Sequence, residues 1–240
     1  MSIIKSNFLG GSMNNLDKVK LQLCQESIHI IENKIPLDLN NYLFNSILDI
    51  YNNFDKGHSI KHISTVIDSS LKLSKFYNLN ESMILVIAIY HDLGLTKDRE
   101  THHIHSKEIL VTDLNLLKWF STEQISIMGQ ACEQHRASNI EKPKTIYGLI
   151  VSDADRTTDI FDMITRCYNF TLKYYSDLCE EKRYIRIYSH LTEKYGTNGY
   201  AKFYLEESKV VIMKPFLEAQ EILKIEFKFK EIYIKLIKNI

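Results

Sequence analysis

Met83-Ile84-Leu85-Val86-Ile87-Ala88-Ile89-Tyr90 is an unbroken apolar run that ends on His91-Asp92. A run with no polar face predicts a helix buried on all sides. Asn80 stands where an N-cap belongs, and Gly94 where a helix stops. An imidazole and a carboxylate at the end of a buried helix are costly unless something compensates them. A bound metal ion is one such compensation.

The rest of the chain reads as helical too. Its 240 residues include only 8 Gly and 3 Pro, and long stretches keep helical periodicity, so an all-α fold is expected. Helices are expected over 16–33, 39–53, 59–76 and 81–92. A polar, His-rich loop from 96 to 105 enters a short helix through Leu110. Further helices are expected over 122–136, with Thr122 as cap, over 145–175, over 180–195 and over 214–240. In the last of these, Ile225 to Phe229 also alternates like a strand. The expected division is a flexible lead-in at 1–14, a helical core at 15–178, and a C-terminal helical extension at 179–240 packed on it. Met13 is an alternative start.

Composition narrows the function. Hydrophobic residues make up 45% and charged residues 25%, as in ordinary globular proteins. The formal net charge is +0, so an anionic ligand must be held by a local cluster. Neither a nucleic-acid polymer nor a membrane is an expected partner. Cys24, Cys132, Cys167 and Cys179 show no paired spacing and read as reduced thiols of a cytoplasmic protein. No signal-peptide pattern or membrane-length apolar stretch is present.

Four residues are candidate metal ligands: His62, His91, Asp92 and Asp155. Two imidazoles and two carboxylates suit Mn, Fe, Co, Ni or Zn better than Mg, which favours oxygen. Asp153 and Asp155 cannot serve from one helical face. Asp155 is the better ligand, because Asp159 follows one turn on, and Asp153 is expected to cap or pack behind it. The order of these residues, within Gly57-His58-Ser59-Ile60-Lys61-His62-Ile63-Ser64-Thr65-Val66, Ala88-Ile89-Tyr90-His91-Asp92-Leu93-Gly94 and Val151-Ser152-Asp153-Ala154-Asp155-Arg156, resembles the HD domain superfamily of metal-dependent phosphohydrolases. The resemblance covers roughly 58–162. Thr65 replaces the usual Arg, which touches no ligand. The Asp-Ala-Asp-Arg stretch is similar to small bacterial members that act on nucleotides.

The resemblance implies an HD-domain helical bundle with additional C-terminal helices. It also implies hydrolysis of a phosphoester or phosphoanhydride by a metal-bound water, with Asp92 as ligand and as base or water-orienting group. Asp159 is a further catalytic candidate. Of the cluster His102, His103 and His105, at most two can face inward. His103 is the candidate proton donor, His102 and His105 are candidate substrate contacts, and the cluster could instead hold a second metal. Arg156, His135 and Arg136 are candidate phosphate-binding residues. Arg183, Arg186, His190 and Lys194 share one helical face, but Asp177, Glu180, Glu181 and Glu193 favour reading it as salt-bridged surface. The absence of a Gly-Tyr-Pro signature and the modest length favour a small nucleotide or similar phosphorylated substrate. The competing expectation is a non-catalytic, ligand-binding regulatory protein. A homo-oligomer is compatible with either.

Overall fold

The computed structural model describes residues 14–238, which form thirteen α-helices and no strand. The expected lead-in at 1–13 and the alternative start at Met13 lie outside them. Asn14 already belongs to the fold, as the N-cap of α1.

The helices α1 (Asn15–Lys20), α2 (Gln25–Asn33), α3 (Leu37–Tyr42), α4 (Ile60–Ser74), α5 (Glu81–Tyr90), α6 (His102–Thr112), α7 (Thr122–Gln134) and α8 (Ile146–Ala154) build one hydrophobic core. A second core joins α9 (Ile160–Tyr174), α10 (Glu180–Tyr195), α12 (Met213–Leu223) and α13 (Glu226–Ile237). The short α11 (Ser208–Val211) contacts α4 and α12. No described helix is long and apolar enough to cross a membrane.

The decisive run is buried as expected. Every residue of Met83–Tyr90 is at most 2% exposed, and α5 packs against α4, α6, α7 and α8. Each such aliphatic side chain contributes roughly 1.5–3 kcal/mol of burial. The Asn80 side chain accepts from the amides of Ser82 and Met83, satisfying two donors at the helix start. The helix ends because Asp92 turns to φ −106°, ψ 2°, a bridge conformation common in active sites.

Several boundaries differ from expectation, each for a physical reason. The helix expected over 16–33 breaks because the Asp68 carboxylate accepts from the Cys24 amide at 2.9 Å, and Cys24 caps α2. The helix expected over 39–53 widens into a π turn at Leu43–Ile47 and then tightens into a 3-10 turn at Leu48–Asn53. Ser121, not Thr122, caps α7, in a reciprocal pair with Gln124. The helix expected over 145–175 is two helices, because Asp155 closes α8 and the Asp159 carboxylate accepts from the Phe161 and Asp162 amides to open α9. The terminal stripe bends at Lys224-Ile225, so Leu223, Phe229 and Tyr233 all reach the second core. The strand-like alternation there is helical.

The two cores meet at 155–159 rather than at 178/179, and α9 packs with the C-terminal helices. Asp153 fixes the segment between α10 and α12 to the first core. Its buried carboxylate accepts from the Tyr204 amide at 2.9 Å, the Leu205 amide at 3.0 Å and the Ser208 hydroxyl at 2.7 Å. This realises the packing role expected of Asp153.

Candidate metal centre

His62 comes from α4, His91 and Asp92 from the end of α5, and Asp155 from the end of α8. The fold draws all four together. His62 Nε2 lies 3.2 Å from Asp155 Oδ1 and 3.6 Å from Asp92 Oδ2. His91 Nε2 lies 3.2 Å from Asp92 Oδ2 and 3.6 Å from Asp155 Oδ1. Neither imidazole nitrogen is aligned to hydrogen bond, and both are buried without a partner. Such orphaned polar atoms are rare in folded proteins.

The other carboxylate oxygen of Asp92 faces a second pair of imidazoles. His102 Nε2 is 3.4 Å from Asp92 Oδ1, and His135 Nε2 is 3.7 Å from it. The two Nε2 atoms are 3.3 Å apart. Each ring holds its Nδ1 within hydrogen-bond reach of a carbonyl three residues back: His102 at 2.8 Å from Arg99 O, His135 at 2.6 Å from Cys132 O, and His91 at 2.8 Å from Ala88 O. In the neutral form of each ring these bonds place the proton on Nδ1 and leave Nε2 a lone pair, the tautomer that metal-binding histidines use. Burial lowers the pKa of His102 and takes that of His135 down to about 3, so both rings are neutral at ordinary pH. Burial would raise the Asp92 carboxyl, but the His91 charge and the closeness of the His62 and His91 rings outweigh it and hold the group well below the carboxylate range. The carboxylates and the neutral His102 and His135 rings thus turn lone pairs toward one space, and His91 adds its own once Nε2 gives up its proton.

That arrangement fits a divalent ion. Donor atoms about 2.1 Å from one ion stand roughly 3.0–3.4 Å apart in octahedral or tetrahedral shells, close to the spacings found here. Among the described residues three overlapping groups bring one donor atom of each member within 4.8 Å of the others: His62 with His91 and Asp92; His91 with His135 and Asp155; and Asp92 with His102 and His135.

Local sequence explains why these atoms meet. A Cβ on Gly94 would lie 1.9 Å from His102 O, so only glycine lets the start of α6 rest against the turn after Asp92. The Gly94 amide donates to Ser106 Oγ at 2.8 Å and fixes that contact. Gly94 thus serves close approach; no positive φ occurs there.

The remaining candidates divide. Arg156, a candidate phosphate-binding residue, lines the main cleft, and its guanidinium donates to His135 O (3.0 Å), Ser152 Oγ (2.7 Å) and Lys202 O (3.3 Å). These bonds clamp the ends of α7 and α8 beside Asp155. Asp159 uses its carboxylate as the α9 cap and lines a side cavity of about 240 Å³. His103 meets the His102 ring edge-on and His105 pairs with Glu108 at 2.8 Å; neither lines a described cavity, because the face of α6 turned to Asp92 carries His102. Arg136 lines the main cleft, with one donor on Glu100 O.

That cleft, about 470 Å³, opens onto Asp92, His102, His135 and Asp155. Arg186, His190 and Lys194 line it as well, so the α10 stripe is not solvated surface. Only Arg183 of that stripe meets the expectation, at 3.4 Å from Glu180. His58, Arg99 and Arg166 also line the cleft and were not singled out from the sequence. His58 closes the turn just before the N-cap of α4, and its place beside His62 in the Gly57–Val66 stretch could have flagged it.

Comparison with curated proteins and with solved structures returned no significant match. The family model described as "HD domain" matches residues 59–159, the segment from the start of α4 to the cap of α9 that contains His62, His91, Asp92, His102, His135 and Asp155. That segment, and with it the candidate metal centre, is similar to the HD domain.

Proposed function

We propose that the protein is a metal-dependent phosphohydrolase that cleaves a phosphoester or phosphoanhydride of a nucleotide or similar small phosphorylated molecule. The observation that carries this reading is the pair of buried, unpartnered nitrogens, His62 Nε2 and His91 Nε2, facing the carboxylates of Asp92 and Asp155. His62, His91, Asp92 and Asp155 would hold one divalent transition ion. Asp92, His102 and His135 would hold a second, with Asp92 offering one oxygen to each. Bound there, such ions supply an activated water and neutralise charge on phosphoryl oxygens.

The protein's own groups do the rest. Asp92, ionised and buried, orients the attacking water and accepts its proton. Arg156 keeps His135 and Asp155 in register. The cleft volume suits a small ligand.

The test is elemental analysis of protein purified without chelator, followed by a phosphate-release screen. The screen covers nucleoside mono-, di- and triphosphates with Mn, Co, Ni and Mg. Bound transition metal and release by the wild type, both lost in Asp92→Ala, are expected. Full activity in Asp92→Ala would refute the mechanism. Metal without release of any phosphate would favour a regulatory binding protein.

A further inference from the structure

The metal ligands explain one part of the cleft. Arg166 from α9, with Arg186 and Lys194 from α10, lines another part. Arg166 donates to Thr157 Oγ1 at 2.8 Å and Arg186 to Thr171 Oγ1 at 3.0 Å, both neutral acceptors. Lys194 lies 5.0 Å from the Tyr195 ring centroid. Among the described residues none of the three has a carboxylate within ion-pair distance, whereas Arg99 in the same cleft pairs with Asp55 at 2.9 Å. Burial, then the charges of Lys194 and Arg186, hold the pKa of His190 down, so these cations share one poorly solvated space.

Three like charges without counter-ions repel one another in such a space. The Asp92 and Asp155 carboxylates do not offset them, because they face the histidines and the proposed ions. A phosphoryl group at the metals would be compensated there. The cationic wall therefore calls for a further anion, and two arginines favour one with several oxygens.

We propose that Arg166, Arg186 and Lys194 form an anion subsite for a second phosphoryl group, so that the preferred substrate carries at least two, as nucleoside di- and triphosphates do. The word substrate rests on the hydrolase reading; the subsite does not.

Calorimetric titration of the full-length protein as purified, with methylphosphonate and methylenediphosphonate, tests it. Neither probe is hydrolysed. The diphosphonate should bind at least tenfold more tightly. Arg186→Gln and Lys194→Gln should each erase at least tenfold of its affinity while changing methylphosphonate affinity less than twofold. Lys194→Arg should restore binding, and Arg183→Gln, whose guanidinium already meets Glu180 and Ser176 O, should leave it unaltered. Equal affinity for the two probes, or diphosphonate affinity untouched in both Gln variants, overturns the subsite. The two readings fail separately. Diphosphonate discrimination without turnover of any phosphate keeps the subsite and sinks the hydrolase. Turnover without discrimination does the reverse.

Discussion

Replacing Asp153 with Ala removes the acceptor for three buried donors: the Tyr204 and Leu205 amides and the Ser208 hydroxyl. Asp153 and Ser208 are both fully buried, so water does not replace the carboxylate without opening the structure. An unpaired buried donor costs about 1–3 kcal/mol. Three such donors, with some relaxation of the segment from 201 to 208, give about 3–6 kcal/mol. Typical domain stability is about 5–15 kcal/mol, so the loss is a large share of the total. Asp153→Asn keeps one acceptor oxygen and turns an NH2 group toward a donor, and about half the loss is expected. Urea unfolding followed by far-ultraviolet circular dichroism gives midpoint and slope for each variant. An Ala variant within about 1 kcal/mol of wild type would refute that anchoring role.

Gly94→Ala places a methyl group on His102 O, so α6 must shift. A destabilisation of about 2 kcal/mol or more and a lower metal content are expected, and an unchanged melting temperature with full metal would count against the role given to Gly94. His102→Ala should reduce both metal content and turnover, whereas His103→Ala and His105→Ala should each stay within about twofold of wild-type turnover. Large losses in the latter two with none in His102→Ala would reverse the assignment. Burial lowers the pKa of His91, but Asp92 and Asp155 prevail and hold it well above the usual imidazole value. A proton therefore sits on His91 until an ion displaces it. Metal affinity should fall as pH falls, and titrations in buffers of different ionisation heat should detect proton release near neutral pH. Binding without proton release would refute that protonation state.

The four-ligand set was legible because its residues close helices or sit on an apolar stripe. His91-Asp92 ends a run with no solvent face, and local pattern alone places it at a buried terminus. His135 and His102 were visible as candidates, but not their joint approach to Asp92, which depends on the glycine contact between distant turns. The α10 stripe was misread because sequence neighbours such as Glu180 and Glu193 seem available to neutralise it. In the fold only Arg183 finds Glu180; Arg186 and Lys194 turn inward with α9. Likewise, the arginine after Asp155 looked free for phosphate. Its internal acceptors include carbonyls 21 and 46 residues away, which helical periodicity does not reveal.

The join between the two cores at 155–159 separates two kinds of information along the chain. Five of the six residues of the proposed metal centre precede it and Asp155 stands at its start, whereas Arg166, Arg186 and Lys194 follow it. The residues that would break a bond and those of the proposed anion subsite are thus written in consecutive stretches. Changes confined to α9 and α10 can retune selectivity while the reactive centre stays intact. The position of the join also sets an order at the ribosome: the ligands emerge first, and the wall that selects what reaches them is completed afterwards.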